Sequence, residues 1–231
     1  MGESERDRWG PLSPWQVKSS PALSENSARP LGELGRERRG AFDIVAFAAS
    51  AGGLNALSRV LSGLPPDFPV AIAVVQHLDP RHRSLMADIL SRRTSLRVKE
   101  AEDGDHLRPG IIYVAPPDNH LLVNADETLS LSHTELVHFV RPSADLLFES
   151  VAASFKDRTI AVVLTGTGSD GTMGVRAIKK MKGTVIAQDE ASSEFFGMPG
   201  SAIDTKTVDF VLPLNEIAPA LVTLVQGDTD E

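Results

Sequence analysis

Ser50, His77 and Asp170 are the residues of this chain whose types and settings suit one piece of chemistry. A six-residue apolar run, 44–49, stops abruptly at Ser50; Gly52 and Gly53 follow, and a helical pattern begins at Leu54. A strand, tight turn and helix in that order push a serine hydroxyl beyond the carboxyl end of a buried strand, the edge where open α/β sheets bind ligands. The glycines allow close backbone approach and leave amide N–H groups at a helix N-terminus, so a nucleophile and an anion-stabilising pocket come together. His77 follows a second apolar run, 70–76, and Asp170 lies in the turn GTGSDG, 166–171, behind a third. A hydroxyl, an imidazole and a carboxylate at three strand ends are the parts of an acyl-transfer site. Ser50 would attack a carbonyl, His77 would take its proton and return it to the leaving group, and Asp170 would hold the imidazole tautomer.

Plainer readings exist for each. Ser50 fits a helix N-cap or a phosphate-binding backbone nest, Asp170 fits an N-cap for the helix beginning at Gly171, and His77 fits a loop-closing hydrogen bond. The order Ser, His, Asp and the lack of G-x-S-x-G at Ser50 disfavour an α/β-hydrolase. His77, Asp79 and His82 crowd like metal ligands, but Arg81 and Arg83 beside them would repel a cation, and no metal is expected. His133 and His138 bracket a loop without further ligands. His106 and His120 read as surface residues. Gly166, Gly168 and Gly171 match a dinucleotide fingerprint; this reading ranks last, and no cofactor is expected.

The elements that must position these groups alternate. Strands are predicted at 44–49, 70–76, 111–115, 159–165, 184–188 and 210–212. Helices are predicted at 54–61, 84–93, 143–154, 171–181 and 214–225. The first strands are apolar on both faces, as in a parallel sheet covered by helices on each side. Segments 120–124 and 128–131 flank a turn at 125–127 and predict a small inserted β-hairpin. The fold class is therefore α/β: a doubly wound, mostly parallel sheet with helices on both faces.

Residues 1–40 differ from the rest. They are rich in Ser, Pro, Gly, Arg and Glu, with little apolar periodicity, and read as a disordered tail that carries both tryptophans, Trp9 and Trp15. One domain is expected over 41–227, with a short tail at 228–231. A net charge of -8 argues against non-specific nucleic-acid binding, which depends on neutralising phosphates. The absence of cysteine excludes disulfides and thiol catalysis and fits a reducing compartment. No apolar run approaches the ~20 residues of a membrane span, and no signal-peptide core is present, so a cytoplasmic location is expected.

Read together, eight separated segments resemble the catalytic domain of CheB-type protein-glutamate methylesterases. They are SAGG at 50–53, VVQH at 74–77, KEAEDG at 99–104, PGIIYVAPPDNH at 109–120, RPSADLLF at 141–148, LTGTGSDG at 164–171, AQDEAS at 187–192 and FGMP at 196–199. The resemblance implies Ser50 as nucleophile, His77 as base and Asp170 as orienting carboxylate. It implies hydrolysis of γ-glutamyl methyl esters on chemoreceptor cytoplasmic helices, with deamidation of receptor glutamines by the same attack. The tetrahedral oxyanion then needs fixed donors, for which the backbone amides of Ala51, Gly52, Gly53 and Thr167 are the candidates. Arg141, Ser143 and Met198 are expected to line the substrate groove, although Ser143 also fits a helix N-cap.

The chain departs from the family pattern at Ala48, where glycine is usual, at Ala51, where threonine is common, and at Thr167, where methionine is usual. These changes motivate a second reading, a catalytically silent binding or regulatory module. Many members carry an N-terminal phosphoacceptor receiver domain; forty residues are too few for one, so the expectation is a stand-alone esterase, control by a regulatory partner, or work outside chemotaxis in a related sensory pathway.

Overall fold

The computed structural model describes residues 42–77, 84–137 and 139–226. The predicted tails, the tryptophans, Asp79, Arg81, His82, Arg83 and His138 lie outside them.

Seven strands form one sheet in the order β3-β4-β2-β1-β7-β8-β9, and every neighbouring pair is parallel. These are β1 (Ile44–Ala49), β2 (Ala71–Gln76), β3 (Arg97–Glu100), β4 (Ile111–Val114), β7 (Thr159–Val163), β8 (Thr184–Gln188) and β9 (Phe210–Leu212). The predicted hairpin is present as β5 (His120–Val123) and β6 (Leu129–Ser132), a separate antiparallel pair.

Strand periodicity explains the layering. Alternate side chains point to opposite faces. From β1, Val45, Phe47 and Ala49 enter one core with Leu57 and Leu61 of α1 (Gly53–Ser62), Leu90 of α2 (Met86–Ser91) and Ile217 and Leu221 of α6 (Leu214–Gln226). Ile44, Ala46 and Ala48 enter the other. There they meet Leu147 and Val151 of α3 (Ala144–Phe155), Val175 of α4 (Thr172–Lys180), Met198 of α5 (Gly197–Asp204) and Leu121 of the hairpin. Central strands buried on both faces have no polar side, which is why they read as continuous apolar runs.

The chain winds from β1 through β2 toward β4 and β3, and later from β7 toward β8 and β9. The winding direction reverses between β1 and β7, so the crevice at their carboxyl ends is the topological switch point. Ser50 and Asp170 stand on the connections that leave those two strands.

β3 and α5 are absent from the sequence-based prediction, each for a physical reason. β3 is a four-residue edge strand with exposed charged positions, too polar to stand out as an apolar run. α5 begins GMPG, a poor helix former, and its Met198, Pro199 and Ala202 are buried, so packing overrides propensity there.

Candidate active site

The register places Ser50 beside His77. In the β1–β2 pair Ala49 lies opposite Gln76, so Ser50 and His77 occupy the next paired positions, with the His77 amide donating to the Ala49 carbonyl at 3.1 Å. On the other side the Ser50 amide donates to the Thr165 carbonyl at 3.0 Å. Neighbouring strands run about 4.8 Å apart, so the two backbones are adjacent at this rim.

Gln76 ties these neighbours together. Its side-chain Nε2 donates to the Ser50 carbonyl at 2.7 Å and to the His77 carbonyl at 3.0 Å. The amide orientation is fixed chemically, because the reverse would face Oε1 against two carbonyl oxygens. Gln188, fully buried at the end of β8, clamps the neighbouring loop in a similar way. Its Oε1 accepts the Thr165 amide at 2.8 Å and its Nε2 donates to the Ser192 carbonyl at 2.7 Å.

Asp170 meets His77 directly, with Oδ2 2.8 Å from Nε2. An ionised carboxylate only accepts, so Nε2 carries the proton and Nδ1 keeps the free lone pair. The same carboxylate occupies the first turn of α3. Oδ2 accepts the Ala144 amide at 2.6 Å, and Oδ1 accepts the Ser143 hydroxyl at 2.8 Å and the Asp145 amide at 3.2 Å. Burial alone would raise the Asp170 carboxyl, but the hydrogen bonds from His77, the Ala144 amide and Ser143 reverse it and hold it below the ordinary carboxylate value. The helix N-terminus adds a positive potential that favours the anion.

Asp170 thus caps α3, not the helix that follows it in sequence; Gly171, at φ 98, takes the N-cap position of α4. His77 and Asp170 are bonded, and Ser50 sits at the same rim beside His77. Among the described residues no hydrogen bond yet links the Ser50 hydroxyl to the imidazole; such bonds often tighten only when substrate binds.

The other predicted residues fall in distinct places. The Gly53 amide donates to the Ser50 carbonyl at 2.8 Å, which removes it as an oxyanion donor in this arrangement. The amides of Ala51, Gly52 and Thr167 have no acceptor among the described residues. Gly52 has φ 76, a backbone conformation that a side chain would strain.

Ser143 is fully buried, so it does not line a groove; its hydroxyl turns to Asp170 because that carboxylate has taken over capping of the helix. Met198 is also buried. A Cβ added at Gly166 would lie 2.4 Å from Met198 Sδ and 2.8 Å from Ser50 Cβ, so the thioether backs the loop against which Ser50 rests.

Arg141 is not a free cation. Its guanidinium Nε donates to Asp118 Oδ1 at 2.9 Å, and its NH groups reach Asp118 and the Thr134 carbonyl, bracing the loop that leads into α3. His106 is exposed as expected, but His120 is fully buried. It heads the apolar run LLV of β5, and that position was the available signal.

An α/β fold with a histidine–carboxylate pair and a serine at the switch point defines a hydrolase-like site. The chain belongs to the CheB methylesterase family, whose model matches residues 45–221. A protein-glutamate methylesterase/protein-glutamine glutaminase of Moorella thermoacetica is 42% identical over 215 residues, 91% of this chain and 50% of that protein. This chain therefore spans half the length of that relative. A Leptospira interrogans relative, provisionally named for the same two activities, is 39% identical over 82% of this chain and 98% of its own length. The crystal structure of the Thermotoga maritima CheB methylesterase catalytic domain matches with a TM-score of 0.77 at 40% identity, covering 80% of this chain and 99% of that one.

Proposed function

We propose that this chain hydrolyses γ-glutamyl methyl esters on the cytoplasmic helices of chemoreceptors, and deamidates receptor glutamines, through Ser50, His77, Asp170 and an acyl-enzyme. The observation that carries this reading is the 2.8 Å bond between His77 Nε2 and Asp170, formed beside Ser50 at the sheet's switch point. The family membership and the names of the relatives support the reaction class.

In this reading the proton path follows from the His77–Asp170 bond. Nε2 is held by Asp170, so the base toward Ser50 is Nδ1. As the Ser50 oxygen attacks the ester carbonyl, its proton passes to Nδ1, and Asp170 stabilises the imidazolium. The tetrahedral oxyanion takes hydrogen bonds from backbone amides, with Ala51, Gly52 and Thr167 as the donors; one such donor is typically worth about 10²–10³ in rate. The C–O bond breaks, methanol leaves with the proton from Nδ1, and a glutamyl-Ser50 ester remains. Water then adds with Nδ1 again as base, releasing glutamate and free Ser50. With a glutamine substrate the same sequence releases ammonia.

This reading places the work in the cytoplasm, where a regulatory partner would control access. Among the described residues no helix is long and apolar enough to cross a membrane. The test is methanol release from membranes carrying methylated receptors. Wild type is expected to release methanol and Ser50→Ala to release none, both folding alike. Wild-type activity in Ser50→Ala would remove Ser50 as nucleophile. Receptor binding without methanol release or phosphonate labelling of Ser50 would establish the silent module instead.

A further inference from the structure

We propose that His120 is a positioning residue for the catalytic carboxylate, acting through Ser143. The proposal rests on the methylesterase reading for its rate measurements and on the hydrogen-bond geometry for the rest.

His120 is fully buried at the start of β5. Both of its ring nitrogens are engaged. Nε2 lies 3.0 Å from the Glu135 carbonyl, which can only accept, so Nε2 carries the proton. Nδ1 is then an acceptor, and it takes the Ser143 amide at 3.1 Å.

That amide immediately precedes α3, where the first N–H groups of a helix lack partners within it. A serine at this position ordinarily turns its own hydroxyl back to cap the helix. Here the Ser143 hydroxyl donates to Asp170 Oδ1 at 2.8 Å, and Asp170 in turn holds His77 through Oδ2. One continuous path therefore runs from the His120 ring through the Ser143 amide and hydroxyl to the Asp170 carboxylate and the His77 imidazole. Within this path His120 fixes the residue that holds the far side of the carboxylate, and so the direction in which Oδ2 faces His77.

A buried histidine with both nitrogens satisfied is commonly just a polar core residue. What distinguishes His120 is what it holds. The residue bonded to Nδ1 contributes a donor to Asp170, and the next two residues contribute two more through the Ala144 and Asp145 amides. A shift of Ser143 moves all three donors together. Misplacing a catalytic group by about 1 Å can cost on the order of 10²-fold in rate.

The experiment compares His120→Leu, which removes the acceptor, with His120→Asn, whose Oδ1 can occupy the place of Nδ1. In the full chain, with methylated receptor membranes as substrate, His120→Leu is expected to lose ~10- to 100-fold in kcat with KM within about twofold. His120→Asn is expected to recover most of the loss. The downfield proton resonance of His77 Nε2–H against Asp170 should be present in wild type and His120→Asn and lost in His120→Leu.

Unchanged kcat in His120→Leu would overturn the proposal. So would a rate loss with the resonance intact, or a His120→Asn variant no better than His120→Leu. If His120→Leu does not fold, His120→Gln replaces it, since its side-chain NH₂ can stand in for Nε2–H against the Glu135 carbonyl while no acceptor takes the place of Nδ1; equal activity of the Asn and Gln variants then overturns the proposal. If wild type releases no methanol, the methylesterase reading fails, and the resonance comparison still decides whether His120 positions Asp170.

Discussion

Asp170 binds His77 at 2.8 Å while serving as the cap of a helix to which neither residue belongs. Its carboxylate thereby holds two neighbours, the His77 imidazole and the first turn of α3. Asp170→Asn separates them. The asparagine keeps one acceptor oxygen for the helix but can present N–H to His77, which forces the wrong tautomer. Methanol release is expected to fall about 10⁴-fold, the scale seen when a triad aspartate is so replaced in serine proteases.

Stability should follow the same substitution with a defined pH dependence. The folded-state value of Asp170 is lowered, so its contribution is complete above the ordinary carboxylate value of 3.8 and is lost as pH falls through the lowered value. Melting curves of wild type and Asp170→Asn should therefore differ by a constant amount near neutrality and converge in acid. A gap that widens in acid would contradict the assignment of a buried, ionised carboxylate.

His120 predicts a second pH effect with its own window. Burial lowers its folded-state value below 6.5; the Glu135 carbonyl opposes this, Arg141 and His133 add to it, and Asp170 opposes it. The native state thus prefers the neutral ring, whereas the unfolded chain binds a proton near 6.5. Stability from this residue is complete above 6.5 and declines as pH falls toward the lowered value. Thermal melts from pH 7 downward should show a decline in wild type that is smaller in His120→Asn, which has no ring to titrate.

How far the sequence carries this picture depends on the kind of interaction. Ile44–Ala49 and Ala71–Gln76 were legible because both-face burial writes an apolar run, and such a run ends where the chain emerges at Ser50 and His77. The parallel order follows from the alternation of strands with helices. Arg97–Glu100 was not legible, because an edge strand paired on one side needs no apolar face. The hairpin was visible as a local pattern, but its role in bringing His120 to Ser143 was not, because that contact joins residues on two elements. Ser143, expected in a groove, is buried because its hydroxyl finds Asp170 inside the protein, and residue type alone does not say whether a polar group faces inward.

Gly53 is predicted to tolerate no side chain, for reasons of space. A Cβ there would lie 2.0 Å from Gln76 Oε1 and 2.7 Å from Ala49 Cβ. Gly53→Ala must displace the amide that holds the Ser50 and His77 carbonyls. The expected cost is about 1–3 kcal/mol, the usual range for overpacking a core, measured by denaturant unfolding. Methanol release should fall more steeply than the loss of folded protein explains, because the displaced group holds both Ser50 and His77. A variant with wild-type kcat would show that the Gln76 contact can move without disturbing the pair.

Gln76→Glu tests that clamp without changing its shape. In wild type the buried side-chain NH₂ donates to both the Ser50 and His77 carbonyls. A protonated glutamic acid offers one O–H and can satisfy one of them; an ionised one offers none and faces two oxygens across a buried gap. The native state therefore favours the protonated acid, and the folded-state value of this glutamate should lie above that of a free one, about 4.3. The sign follows: the variant is least impaired below that value and loses stability as pH rises through the raised value. Methanol release by the variant should remain below wild type at every pH at which wild type works, because the altered side chain holds the carbonyls of both Ser50 and His77. Circular-dichroism melts and methanol release across the pH range measure both. A Gln76→Glu variant whose stability is independent of pH would mean that the two carbonyls are not held by this side chain.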